Sequence, residues 1–217
     1  MKMTNRIFRG FAIACCIAWM QGIAQEMKPV PLPAPDTSGG MPLMQALKQR
    51  RSMRHFSDRK LSLETLSNLL WAANGVNRPE DKKRTAPSAM NRQEIEVYVA
   101  MQEGLFRYDA FANALQPVLA EDIRSQTGSQ DFVPVVPVNL IFVATVTGDS
   151  TVTEADRIFY PAADCGFISQ NVYLFCASEG LGTVVRGMVD RPALAKKMGL
   201  RPDQRILLAQ SVGYPEP

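Results

Sequence analysis

Three stretches of this chain hold residue types that can do chemistry. Residues 50 to 54 read R-R-S-M-R, so Arg50, Arg51, Ser52 and Arg54 put three guanidinium groups and a hydroxyl within five positions. Arginine offers forked donors that match phosphate oxygens, and serine adds another, so the set suits an anion. A bland reading competes with it. Cations collect where a helix ends because the macrodipole favours them there, by roughly 0.3–1 kcal/mol each. The second stretch, P-S-A-M-N, comprises Pro87, Ser88, Ala89, Met90 and Asn91 and precedes a strand-like run. Taken alone it is turn chemistry. The third, G-L-G-T-V-V-R-G, ends in Val185, Arg186 and Gly187, where a long helix passes into an extended segment. A lone G-x-G is most simply a helix stop.

Other chemistries find little support. The chain has one histidine, His55, and no cluster of cysteines or acids at ligand spacing, which argues against a zinc site. No G-x-S-x-G elbow accompanies that histidine, so a serine hydrolase is not indicated. The formal charge of +3 resides in the first 24 residues, where Lys2, Arg6 and Arg9 meet no acid; the remainder balances 21 basic against 21 acidic residues. A nucleic-acid footprint is therefore not expected.

The elements that must position these stretches follow from pattern. Leu43, Met44 and Leu47 have helical spacing, and the helix they define ends at the arginines. A second helix is expected from Ser62 as N-cap to Gly75 as stop, with Leu63, Leu66, Leu70 and Ala73 on one stripe. Residues 94 to 109 alternate Ile95, Val97, Val99 and Met101 with a turn at Glu103-Gly104, predicting a β-hairpin. From about 113 to 135 the expectation is helical and irregular. The run V-N-L-I-F-V-A-T-V from Val138 suits a strand buried on both faces. A long helix carries the stripe Cys165, Ile168, Val172, Cys176 and ends at Gly180 and Gly182, a short one is capped by Asp190, and a strand ends the chain. Helices flanking a small mixed sheet make a single α+β domain. Cys165 and Cys176, eleven residues apart on one helix, are separated by roughly 16 Å of rise, too far for a disulfide.

The N-terminus has a different character. Residues 1–24 begin basic, continue with an apolar run from Phe11 to Met20, and place Gly22 and Ala24 before Gln25, the layout of a secretory signal. The run is about half the ~20 residues a membrane helix needs. Export to the periplasm or medium is thus expected, with no membrane span; Cys15 gives a weaker lipoprotein reading. Residues 25–40, rich in proline and glycine, read as a linker, and 41–217 as the folded domain.

Order and spacing of the three stretches carry more than each alone. R-R-S-x-R, then P-S-x-x-N before a hairpin, then a D-x-G-x-x-x-Q-N helix running into G-L-G, and a final G-Y-P together resemble the nitroreductase family of FMN-dependent oxidoreductases. The loop and hairpin are more similar to the branch containing peptide-heterocycle dehydrogenases than to the simple nitroaromatic reducers. The resemblance implies a nitroreductase-like α+β fold with a mainly antiparallel sheet, and a homodimer holding FMN at its interface. It implies that Arg50, Arg51 and Ser52 hold the phosphate and ribityl chain, with Arg54 near the pyrimidine edge. Negative charge develops there when hydride adds at N5, and a fixed guanidinium stabilises it. Pro87, Ser88, Ala89 and Asn91 match a loop reaching the flavin from the neighbouring subunit. Val185, Arg186 and Gly187 match the backbone on the N5 side. Many members carry a basic pair beyond the final strand; this chain ends at Pro217, so the phosphate is expected to rest on the R-R-S-x-R arginines, with Arg186 a further candidate. The expected partners are a small organic substrate and an electron donor, NAD(P)H or another, since nicotinamides are scarce outside the cytoplasm. Two alternatives stay open: a flavin-binding module without turnover, and an interaction protein in which R-R-S-M-R is a helix end.

Overall fold

The structure, a computed structural model, describes residues 27–146 and 152–216. The expected signal segment, residues 1–24, lies outside the described residues. The architecture is α+β. Among the described residues, four helices, α1 (Leu43–Gln49), α2 (Leu63–Asn74), α3 (Glu154–Ser178) and α4 (Arg191–Met198), pack on one seven-stranded sheet. Its strands are β1 (Val30–Pro31), β4 (Ile95–Met101), β5 (Gly104–Asp109), β6 (Ala114–Leu119), β7 (Val138–Thr145), β8 (Gly182–Arg186) and β9 (Gln204–Gly213). They lie in the order β1-β6-β5-β4-β7-β9-β8; β2 (Val76–Arg78) and β3 (Lys83–Arg84) form a separate small ribbon. Every pairing in this sheet is antiparallel, in keeping with the mainly antiparallel sheet expected.

Side-chain period explains the layering. On β4, Val97 and Val99 face α2 and α3, while Tyr98 and Ala100 face the layer with α4. On β7, Leu140 and Phe142 join the first core, and Ile141 and Val143 the second. A strand covered on both faces has no reason to alternate, which is why its sequence reads as a continuous apolar run.

The helices begin and end where local chemistry directs. Ser62 Oγ accepts from Thr65 N at 3.0 Å, and Gly75 N closes α2 on Trp71 O at 2.8 Å. Leu66, Leu70 and Ala73 are buried as expected, joined by Leu69, but Leu63 is half exposed. Thr153 caps α3 through Asp156 N at 3.1 Å, with Glu154 and Asp156 in the first turn where the dipole favours them. Asp190 caps α4 by accepting from Ala193 N, and Gly199 at φ 65° ends it in the left-handed conformation.

Two expectations need correcting. The region from 113 to 135 was expected helical and irregular, yet Ala114–Leu119 is strand β6, followed by only a 3₁₀ turn at Arg124–Gln126. Pro117 bars a helix interior, and it is tolerated in the strand because β1 pairs only with Ala114 and Leu115, leaving the outer edge open at 117. The segment expected as a linker is tied down from the first described residues. Val30–Pro31 extends the sheet, Leu32 enters the core, and Asp36 N donates to Asn68 Oδ1 on α2 at 2.8 Å. Cys165 and Cys176 are free, buried thiols on α3, as their spacing requires.

Candidate functional site

Helix α1 stops at Arg50, whose backbone N–H still reaches Ala46 O at 2.8 Å. The chain then leaves in extended form and crosses the edge of the sheet. Met53 N donates to Thr183 O on β8 at 2.9 Å, and Ser57 N to Tyr214 O at 3.0 Å, just past β9. This close crossing demands a glycine at 182: a Cβ there would stand 2.7 Å from Met53 Sδ and 3.2 Å from Phe56 Cε1. R-R-S-M-R is therefore a helix end that has been laid against the strand following α3. The bland reading and the site reading describe the same residues.

Tyr173, on the face of α3 below, joins the pieces. Its hydroxyl lies 2.8 Å from Ser52 Oγ and accepts from Val185 N at 3.0 Å, while the Arg50 guanidinium sits 5.2 Å from its ring centroid. Three of the expected positions, Arg50, Ser52 and Val185, thus meet on one residue that the sequence reading did not single out. A tyrosine on an otherwise apolar helical stripe was the available signal, because a buried phenol needs a partner for its O–H.

Around this junction lies a cleft of about 510 Å³, bordered by Lys48, Arg50, Arg51, Tyr173, Gly182 and Thr183. None of Lys48, Arg50, Arg51 or Arg54 forms an ion pair among the described residues. Cations left without carboxylates at the mouth of a concave site make a positive potential that an anion can occupy. Arg54 is exposed beside it and does not border the cleft.

The 87–91 loop stands elsewhere on the same protomer. Ala89 N donates to both carboxylate oxygens of Asp164, at 3.2 and 3.0 Å, and Ser88 Oγ accepts from Gln93 N at 3.0 Å. Asp164 is nine residues, roughly 13 Å of helical rise, before Tyr173 on α3. Pro87, Ser88, Ala89 and Asn91 are therefore not brought to the arginine cleft of their own chain. The loop holds Met90, Asn91 and Gln93 at φ 53°, 53° and 51°, a conformation that costs energy outside glycine and persists only where surroundings enforce it. Asn91 is exposed at the loop's tip.

Arg186 corrects an expectation. Its side chain does not join the phosphate side; it is buried with 4% exposure and points into the domain. Nε donates to Ser211 Oγ at 3.1 Å, Nη1 to Thr127 O at 2.7 Å, and Nη2 to Asn139 Oδ1 at 2.9 Å and Thr127 Oγ1 at 3.3 Å. All four acceptors are neutral, and burial pulls its pKa down to about 10, so the guanidinium stays charged at neutral pH. A buried cation fed only by neutral acceptors is held by geometry, not by an ion pair. Gly128 makes room for it, since a Cβ there would overlap Nη1. Gly187, at the exposed end of β8, has no such constraint; a Cβ would meet only Leu208 Cδ2 at 3.9 Å.

An antiparallel sheet covered by helices, with an arginine-bordered cleft where α1, α3 and β8 converge, defines an α+β domain whose cleft carries positive charge. Comparison with known proteins makes the class specific. A profile of the nitroreductase family matches residues 47–214, and the chain belongs to that family. A provisionally named nitroreductase of Methanocaldococcus jannaschii is 33% identical over 156 residues, 67% of this chain and 78% of that protein. The crystal structure of a provisionally named nitroreductase from Ralstonia eutropha JMP134 superposes with a TM-score of 0.84 at 44% identity, covering 88% of this chain and 91% of that one. The microcin synthetase complex of E. coli, with a truncated microcin precursor bound, contains a chain with a TM-score of 0.66 at 20% identity, covering 96% and 85%. At that identity the likeness concerns the fold alone.

Proposed function

We propose that this protein is an FMN-dependent oxidoreductase that passes hydride or electrons through flavin N5 to a small organic acceptor, a nitro compound, quinone or enone. The observation that carries the reading is the convergence of Arg50, Ser52 and Val185 on Tyr173, beside a cleft that Arg51 also borders and whose cations have no carboxylate partners among the described residues. The cleft fits a flavin mononucleotide at its phosphate end, where forked guanidinium donors match phosphate oxygens. Bound there, FMN would supply two-electron storage at its ring.

The chain's own residues have separate tasks in this reading. Arg50 and Arg51 bind the phosphate, and Ser52, fixed by the Tyr173 hydroxyl, faces the ribityl chain. Arg54 faces the pyrimidine edge, where its charge would favour the reduced ring. Backbone groups at Val185, Arg186 and Gly187 approach the N5 side. Pro87, Ser88, Ala89 and Asn91 serve the cleft of a second copy, which explains why they stand away from their own. A homodimer also accounts for α1, where Leu43, Met44 and Leu47 are 62%, 74% and 44% exposed and only Ala46 is buried. An amphipathic helix with its apolar side uncovered is a face awaiting a partner. Export, supported by the pattern of residues 1–24, places the reaction outside the cytoplasm with NAD(P)H or another reductant as donor.

The test is direct. Purified protein incubated with FMN and desalted should retain flavin absorbance, bleach anaerobically with a reductant, and recover colour on adding a quinone or nitroaromatic. Arg50→Ala with Arg51→Ala should abolish retention. Wild-type protein that holds no flavin overturns the reading; flavin that is held but never reoxidised by any acceptor leaves a binding module of the same fold.

A further inference from the structure

The 87–91 loop ends at a carboxyl group that its surroundings do not accommodate as an anion. Glu94, three residues after Asn91 at the entry to β4, has both Oε atoms buried, and among the described residues no other residue supplies a hydrogen-bond donor to either of them. The acid that bears on it is Asp164 on α3, whose charge and side chain both act on the Glu94 carboxyl. Asp164 is itself 2% exposed, and both its oxygens are engaged by Ala89 N. Two adjacent carboxylates in a site closed to water repel each other and lack donors, whereas one proton between them satisfies a lone pair on each side.

We propose that Glu94 is a positioning residue for the flavin-facing loop: its O–H donates to the Asp164 carboxylate, and this shared proton keeps Ala89 anchored and the loop in its strained, binding-ready shape. The inference rests on the FMN reading for what the loop touches, and on this chain's geometry for the shared proton. The strain supplies the link between proton and loop. Met90, Asn91 and Gln93 hold positive φ in a loop pinned by Asp164 at Ala89, by the hydrogen bonds of Gln93 with Ser88, Lys82 and Arg84, and by β4, which starts just after Glu94. Loss of the proton to solvent sets two anions against each other at the β4 end, and the constraint slackens.

Charges around the pair agree in direction. Burial, and after it the charge of Asp164, push Glu94 above the usual carboxylate range; its own backbone N–H and Arg92 of the same loop act the other way. A carboxyl raised in the folded state contributes stability that is complete below its ordinary pKa, about 4.3. That contribution is lost as pH rises through the raised value. The anchored loop is therefore the lower-pH form.

Three measurements on wild type and Glu94→Gln decide the matter, because the amide mimics the protonated carboxyl and cannot titrate. Infrared spectra of flavin-free protein should show a protonated carboxyl band persisting above pH ~4.3 in wild type and missing from E94Q. Hydrogen exchange at the Ala89 amide, corrected for intrinsic rate, should quicken with pH in wild type and stay level in E94Q. Apparent FMN affinity should weaken by up to about tenfold per pH unit across that titration in wild type, and E94Q should lack the slope. A missing band, or parallel exchange profiles in the two proteins, overturns the shared proton. If neither protein binds FMN at any pH, the flavin reading falls and the positioning role with it, while the infrared and exchange results still decide the pair.

Discussion

Replacing Tyr173 with phenylalanine removes one oxygen and keeps the ring, so it isolates the junction that joins the arginine segment to β8. The hydroxyl meets Ser52 Oγ at 2.8 Å and accepts from Val185 N at 3.0 Å. Ser52 is exposed, so water replaces its partner and that loss is small, about 0.5 kcal/mol. Val185, on β8 where it faces α3, is half-buried, and its stranded N–H costs about 1–2 kcal/mol. The expected destabilisation is thus about 1.5–2.5 kcal/mol. At ~2–4 °C per kcal/mol for a domain of this size, the melting midpoint should fall by roughly 3–10 °C. Urea unfolding followed by tryptophan fluorescence gives the free energy. The ring contact with Arg50 survives, so Tyr173→Leu should lose about a further 0.5–1 kcal/mol. In FMN titrations Y173F should weaken binding by about tenfold if some 1.4 kcal/mol of the loss falls on the bound state. A Y173F protein within about 0.5 kcal/mol of wild type, a typical surface-substitution effect, with unchanged flavin affinity, would refute the argument that this hydroxyl holds the two walls together.

Gly128→Ala should force Arg186 off the Thr127 carbonyl, a charged hydrogen bond of about 1.5–3 kcal/mol, and Arg186→Met in the same background should restore part of the lost stability in denaturant melts. Cys165 and Cys176 should resist a thiol reagent at pH 8 in the folded protein and react fully in urea. Burial pushes the Cys165 thiol up to about 12, so its contribution holds below the ordinary thiol pKa, ~8.5, and is lost as pH climbs toward that raised value. Leu43→Lys with Leu47→Lys should shift a dimer to monomer in light scattering while leaving far-UV circular dichroism unchanged, because both side chains are exposed in the single chain.

Much of the fold was legible because its signals are local. Ser62, Asp190 and Gly75 mark helix ends by chemistry confined to one turn, and β7 announces its double burial through its own composition. The hairpin of β4 and β5 was read from alternation and the turn at Glu103-Gly104. Strand β6 escaped because Ala114–Leu119 shows no clean alternation and contains a proline; its pairing depends on an edge left open by β1, a fact about distant residues. The same holds for the expected linker, residues 25–40, whose proline-rich composition gives no sign that Leu32 is fixed in the core and Asp36 by a partner on α2.

By itself the sequence determined which residues could grip an anion and in what order they occur, since R-R-S-M-R, P-S-A-M-N and G-L-G-T-V-V-R-G are properties of the chain. Direction and partnership belonged to the tertiary structure. Arg186 is a surface-type residue whose acceptors, Thr127, Asn139 and Ser211, come from three separate parts of the chain, so only packing could turn it inward. Tyr173 gained its role because the crossing at Gly182 brings Ser52 and Val185 to one hydroxyl. Asp164 and Glu94, seventy residues apart, face each other only because α3 lies against the entry to β4. Hydrogen bonds and charges act over a few ångströms, and which groups come within that reach is decided when the layers close.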